Sequence, residues 1–123
     1  FLSALAARPR WGWSAGVLLW CAVCLAGAGV VVNTTSLGMV GQPPLEIDLA
    51  PLSQGAVVAD IVYSPLATPL LRAAHELGLT TVGGLRILIE QARPGFAAWV
   101  GQTPPVTGEL IEMLEADVRA RAG

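Results

Sequence analysis

The spacing most suggestive of chemistry is Cys21-Ala22-Val23-Cys24, a CxxC pair. Two thiols so placed can supply half a zinc site or a redox couple. A zinc ion needs further ligands, and the chain offers no other Cys and one His, His75. A redox couple needs a polar helix N-terminus to lower its thiol pKa, whereas this pair lies inside the apolar run Ser14–Val32. The two are read as buried thiols in a reducing, cytoplasmic compartment, and no metal site is expected. His75 sits beside Glu76 in a short helical pattern and reads as a surface histidine. All seven basic residues are arginines: Arg8, Arg10, Arg72, Arg86, Arg93, Arg119 and Arg121. With no lysine, a Schiff base, a lysine acid and a lysine phosphate anchor are all excluded. Tyr63 ends a β-branched run and Gln91 lies at the polar edge of an amphipathic pattern. By pattern alone they are a favoured strand residue and a solvated helix position.

These side chains depend on the elements around them, and the composition bounds what those elements are. A chain of 123 residues, 54% hydrophobic and 13% charged, is one small domain able to bury a core. Seven arginines against nine acids, with Arg8 and Arg10 the only close basic pair near the start, leave no surface for phosphate neutralisation, so nucleic acid is not an expected partner. Ser14–Val32 approaches the ~20 apolar residues that span a bilayer, with Arg8 and Arg10 as a basic flank. The same run also fits a buried helix over Val17–Leu25 and a buried parallel strand over Ala28–Val32. Periodicity does not separate the two, and the choice for this run stays open, although a membrane is not an expected partner of the chain. Gly27-Ala28-Gly29 lacks a third glycine and precedes a strand instead of following one, so it is rejected as a dinucleotide loop. Asn33-Thr34-Thr35 is formally a glycosylation sequon and is read as a strand end turning into a loop.

From Ala28 onward, short β-branched runs alternate with helical patterns between Gly and Pro, the texture of an α/β fold. Strands are expected at Ala28–Asn33, Val57–Tyr63 and Thr80–Val82, and a short helical turn at Asp48–Ser53. Thr68-Pro69 reads as an N-cap followed by the first helical residue, with Gly78 just past the end, so Pro69–Leu77 is an expected helix. Gly84–Val100 carries Leu85, Leu88, Ala92, Phe96 and Trp99 at the spacing of one buried face, with a kink expected at Pro94. Thr107–Ala122 is a further amphipathic helix, acidic at its start and basic at its end, with Glu115 and Arg119 as an i, i+4 pair.

Three segments in order resemble one family. Val31–Met39 (VVNTTSLGM) is the first, and Asp60-Ile61-Val62-Tyr63 with Pro65 and Thr68-Pro69-Leu70-Leu71 is the second. Gly84-Leu85, Gln91-Ala92, Phe96 and Trp99-Val100-Gly101 form the third. Together they are similar to the C-terminal part of shikimate dehydrogenases, NADP-dependent oxidoreductases that reduce 3-dehydroshikimate to shikimate in aromatic amino acid biosynthesis. The resemblance implies an α/β fold, the C-terminal half of a Rossmann-like doubly wound parallel sheet ending in amphipathic helices. It divides the chain into residues 1–27, unlike the family and suggestive of a frame-shifted or mispredicted start, and a partial NADP-binding domain at 28–123.

The resemblance also assigns residues. Tyr63 and Gln91 match the family's substrate-binding tyrosine and glutamine. Ile61 and Gly84 match positions against the nicotinamide half of NADP, Ile61 through its carbonyl and Gly84 by permitting close approach. Asn33, Thr34 and Thr35 are expected in the cofactor pocket wall. The family's catalytic Lys and Asp and its Gly-rich phosphate loop belong to regions without a counterpart here, so no catalytic residue is expected in this chain, nor turnover by it alone. Gly83 stands where the family usually has Asp. The competing reading is a membrane-anchored or non-catalytic remnant that binds shikimate or quinate. Oligomeric state is left open.

Overall fold

In the computed structural model, residues 25–122 are described, so the CxxC pair and most of the candidate membrane run lie outside the described residues. Three strands, β1 (Val30–Asn33), β2 (Val57–Asp60) and β3 (Thr80–Val82), form a sheet in the order β1-β2-β3. Both pairings are parallel, with Val30 opposite Val57 and Val57 opposite Thr80. Helices α1 (Pro69–Glu76), α2 (Gly84–Val100) and α3 (Gly108–Ala122) follow β2, β3 and α2 in the chain. The α/β reading therefore holds. Val30–Val32, the last three residues of the apolar run, are strand. Among the described residues no helix is long and apolar enough to cross a membrane.

The core grows from the alternation of strand side chains. Val31 and Val58 point to one side, where Leu70 and Ala74 of α1 meet Leu25, Leu49, Leu52 and Leu79. Val30 and Val32 on the other side of β1 are 61% and 48% exposed. Thr68 caps α1 as expected: its hydroxyl accepts the Leu71 N–H and Pro69 follows it. Gly78 has φ +72° just beyond the helix end, a conformation that favours glycine. Thr107 does the same service for α3, accepting the Leu110 N–H at 3.2 Å, and the Glu115–Arg119 pair forms at 2.6 Å.

Several expectations are corrected. β1 starts at Val30 instead of Ala28, because the Ala28 N–H closes a turn onto the Leu25 carbonyl. Asp48–Ser53 contains a turn and no helix: Leu52 N–H reaches Leu49 O, while Asp48 Oδ1 accepts the Ala50 N–H. Pro51 there has no N–H with which to extend it. β2 ends at Asp60 and not at Tyr63, since the Val62 N–H is taken by the Asp60 side chain and β3 stops at Val82. Helix α1 ends at Glu76, with Leu77 as its C-cap.

The stripe expected along α2 is buried only at its start. Leu85 and Ile89 are buried, but Leu88, Phe96 and Trp99 are 41%, 46% and 88% exposed. The short β3 gives the helix little sheet to lie on. Its second half meets the connection into α3 instead, where Ile89, Ala92 and Phe96 face Pro105, Leu110 and Leu114 across a cavity of about 210 Å³. Helix α2 runs unbroken through Pro94. Pro94 is exposed, so water can take the hydrogen bond its ring denies to the preceding turn.

Candidate functional site

The carboxyl ends of parallel strands are where open α/β sheets bind ligands, and here β1 and β2 end side by side. Just past them is a cavity of about 320 Å³ whose lining includes Thr34, Thr35, Ile61 and Tyr63, four of the residues singled out from the sequence. Ser36, Met39, Val62 and Ser64 complete it. Ser36, Met39 and Val62 lie inside the segments that carry the family resemblance but were given no role there, and Ser64 had no signal beyond lying in the loop after β2. The wall is mixed: Met39 and Ile61 are apolar, while Thr34, Ser36, Tyr63 and Ser64 bring hydroxyls. Ile61 and Tyr63 are 42% and 46% exposed, so both are open to a ligand.

The two threonines differ in role. Thr35 Oγ1 donates to Asn33 Oδ1 at 2.8 Å and accepts the Leu37 N–H at 3.1 Å, so its hydroxyl is engaged within the protein. Thr34 makes no such bond and is the freer hydroxyl. Asn33 is only 3% exposed. Its amide donates to Leu37 O and Asp60 Oδ1, and its Oδ1 accepts from Thr35. It braces the wall from behind, and the same burial removes it as a glycosylation acceptor.

Gly84 and Gln91 do not line the cavity. Gly84 opens α2 directly against the loop after β2: a Cβ built on it would lie 2.4 Å from Ile61 O and 2.5 Å from the Val62 carbonyl carbon and oxygen. Its smallness is thus demanded by the protein's own backbone before any ligand is considered. Gly83, the α2 N-cap, makes no side-chain capping bond. Gln91 lies exposed on α2 beside Glu90. The Arg93 hydrogen bond, aided by the charges of Arg93 and Arg86, holds the Glu90 carboxyl below its ordinary 4.5, with desolvation acting the other way. Glu90 pairs with Arg86 at 2.9 Å and Arg93 at 2.7 Å, and Arg93 Nε also donates to Pro104 O.

A larger cavity, about 470 Å³, lies between α1 and β3 and touches none of the singled-out ligand residues. His75 is on its rim and exposed. Among the described residues no group of three or more His, Cys, Asp or Glu could hold a metal ion.

The chain is 58% identical over 97 residues to the NADP(+) shikimate dehydrogenase of Azorhizobium caulinodans, matching 79% of this chain and 34% of that enzyme. It is 60% identical over 86 residues to the same enzyme of Rhodospirillum rubrum, matching 70% and 30%. Over most of its length the chain is thus similar to shikimate dehydrogenases. It spans about a third of the length of the curated relatives it matches. Among solved structures, the family's shikimate 5-dehydrogenase from Thermus thermophilus, in complex with NADP(H) and shikimate, superposes with a TM-score of 0.62. That match has 27% identity and covers 83% of this chain and 37% of that one. Quinate dehydrogenase from Corynebacterium glutamicum, in complex with NAD, gives 0.63 at 36% identity, covering 72% and 31%. No family model matches the chain. The three-stranded parallel sheet with its helices is the Rossmann-like α/β arrangement of these solved shikimate and quinate dehydrogenases.

Proposed function

We propose that this chain is part of an NADP-dependent shikimate dehydrogenase, contributing the wall against which nicotinamide and substrate meet. The observation that carries the reading is the convergence of Thr34, Thr35, Ile61 and Tyr63 on one cavity at the ends of β1 and β2, in a chain 58% identical to enzymes of that name. A cavity with apolar Met39 and Ile61 on its wall and several hydroxyls around it suits a flat ring bearing a polar carboxamide. NADPH, when bound, supplies the hydride for the C3 carbonyl of 3-dehydroshikimate.

The chain's own residues bind and orient. Thr34 offers a free hydroxyl, Ile61 an apolar face and its carbonyl, and Gly84 the absence of a Cβ beside that carbonyl. Asn33 and Thr35 contribute by bracing. The phenol of Tyr63 and the amide of Gln91 both donate and accept. They hold the hydroxyls or carboxylate of shikimate so that the reacting carbon keeps a productive position. Proton transfer belongs to a Lys and an Asp outside this chain, which has no lysine at all. The chain alone therefore does not turn over.

The test is a chimera in which residues 28–123 replace the matching third of the Azorhizobium caulinodans enzyme, assayed by NADPH formation from shikimate. It is expected to be active, with Tyr63→Phe and Gln91→Ala raising KM for shikimate, while the isolated chain gives no turnover. A folded but inactive chimera overturns the proposal, as does shikimate oxidation by the isolated chain that is lost on Gln91→Ala.

A further inference from the structure

Behind the cavity wall lies a closed polar network centred on the carboxylate of Asp60. Asp60 and Thr68 are fully buried and Asn33 nearly so. Asp60 Oδ1 accepts the Asn33 amide at 3.0 Å and the Val62 backbone N–H at 3.0 Å, and Oδ2 accepts the Thr68 hydroxyl at 2.7 Å. The Thr68 hydroxyl in turn accepts the Leu71 N–H. Among the described residues no buried side-chain polar atom lacks a partner. One side chain thus joins the end of β1, the loop after β2 and the first turn of α1.

A desolvated carboxylate is a poor way to gain stability, since apolar side chains of similar volume often do as well. What it does supply is geometry: two oxygens meeting three donors at fixed directions. The donor from Val62 is decisive. It draws the backbone off the ladder once the Ile61 N–H has made the last bond to Asn33 O of β1, and the segment that turns there carries Ile61 and Tyr63 into the cavity.

We propose that Asp60 is a positioning residue, setting the Ile61–Tyr63 wall of the cavity against the Thr34–Thr35 wall through its bonds to Val62, Asn33 and Thr68. Asp60 touches no ligand itself. The purpose of the brace rests on the functional reading above, whereas the brace itself does not. Sites held by buried hydrogen-bonded supports lose function when the support loosens, even if the contacting residues are intact.

The test uses the 123-residue chain with Thr68→Val, which keeps shape but removes the hydroxyl, Thr68→Ser, which keeps the hydroxyl, and Asp60→Asn. Backbone hydrogen exchange is followed at Val62, Leu71 and Val58, together with the NMR signal of Tyr63, the only tyrosine in the chain. In Thr68→Val and Asp60→Asn, Val62 is expected to exchange at least tenfold faster relative to Val58, and the Tyr63 signal to broaden or shift. Thr68→Ser is expected to behave as wild type. If Thr68→Val changes only Leu71, or if Val62 and Val58 lose protection in parallel, Asp60 is an ordinary stabilising residue and the proposal fails. In the active chimera, Thr68→Val is expected to lower kcat at least fivefold with Thr68→Ser restoring it, and an unchanged kcat there overturns the positioning role. A chimera inactive before any substitution refutes the functional reading, and the exchange data then decide the brace on their own.

Discussion

Replacing Gly84 with Ala sets two effects of opposite sign against each other. Alanine is the better helix former by about 0.8–1 kcal/mol in a helix interior, and it restricts the unfolded chain, so on propensity alone Gly84→Ala is stabilising. Against this, the new Cβ would lie 2.4 Å from Ile61 O and 2.5 Å from two atoms of the Val62 carbonyl. An ordinary carbon–oxygen contact is about 3.3 Å or more, so the start of α2 must retreat by somewhat under 1 Å. The obstructing atoms are backbone, fixed by the Asp60–Val62 bond on one side and the Ile61–Asn33 ladder bond on the other, so no rotamer change relieves the clash. Overpacking of this kind typically costs about 1–3 kcal/mol, and because Gly84 is the first helical residue it gains only part of the interior propensity, so the steric effect is expected to win by roughly 1–2 kcal/mol. Urea unfolding should show a lower midpoint with an unchanged slope, and melting should fall by about 4–8 °C for each kcal/mol. Gly95 is the control: it lies in the same helix, with nothing within 4 Å of a built Cβ. Gly95→Ala should therefore raise stability by up to about 1 kcal/mol. If Gly84→Ala matches or exceeds wild type in stability, the close approach of α2 to the β2 loop is refuted.

The two threonines at the cavity should separate cleanly. Thr35→Val removes a hydroxyl that both donates and accepts and should cost about 1–2 kcal/mol by denaturation, whereas Thr34→Val should leave stability within about 0.5 kcal/mol and raise KM for NADP in the chimera. Gly83→Asp supplies the capping carboxylate that α2 lacks, and should add a few tenths of a kcal/mol in urea unfolding. Its built Cβ meets nothing closer than 3.8 Å. The Glu90 carboxyl is held below 4.5 in the folded chain, so its contribution is fully present above that pH and is lost as pH falls through the depressed value. Comparing Glu90→Gln with wild type across acid pH should therefore show a small difference that closes on acidification, and a gap that widens on acidification refutes the pairing. Trp99→Gln, at a site 88% exposed, should leave the melting temperature of this chain nearly unchanged.

Much of the fold was legible wherever the determinant was local. Thr68-Pro69 and Gly78 bracket α1 because capping and left-handed chemistry act within a turn. Thr80–Val82 was read residue for residue. The misses lie where a distant group intervened. The run Val57–Tyr63 continues as strand by composition, but the Asp60 side chain takes the Val62 N–H and ends the ladder. The apolar spacing of α2 predicts one continuous buried face. Only the start of the helix packs closely, with Gly84 against the loop after β2 and Leu85 and Ile89 buried, while Phe96 and Trp99 stay largely exposed.

The candidate site divides in the same way. Residue types alone fixed the absence of lysine chemistry, the α/β alternation and the three segments that resemble one family, because each is a property of the chain in order. Tyr63 and Gln91 were named from that resemblance and not from their local patterns. Only the tertiary structure decided that Thr34, Ile61 and Tyr63 share a cavity with Ser36 and Met39. It also decided that Asn33 and Thr35 turn inward as braces and that Gly84 is small because of the Ile61 carbonyl. These outcomes depend on parallel pairing between residues 27 positions apart, which brings two strand ends together. Sequence spacing carries helical and strand periodicity, but it does not carry the register that sets one loop against another.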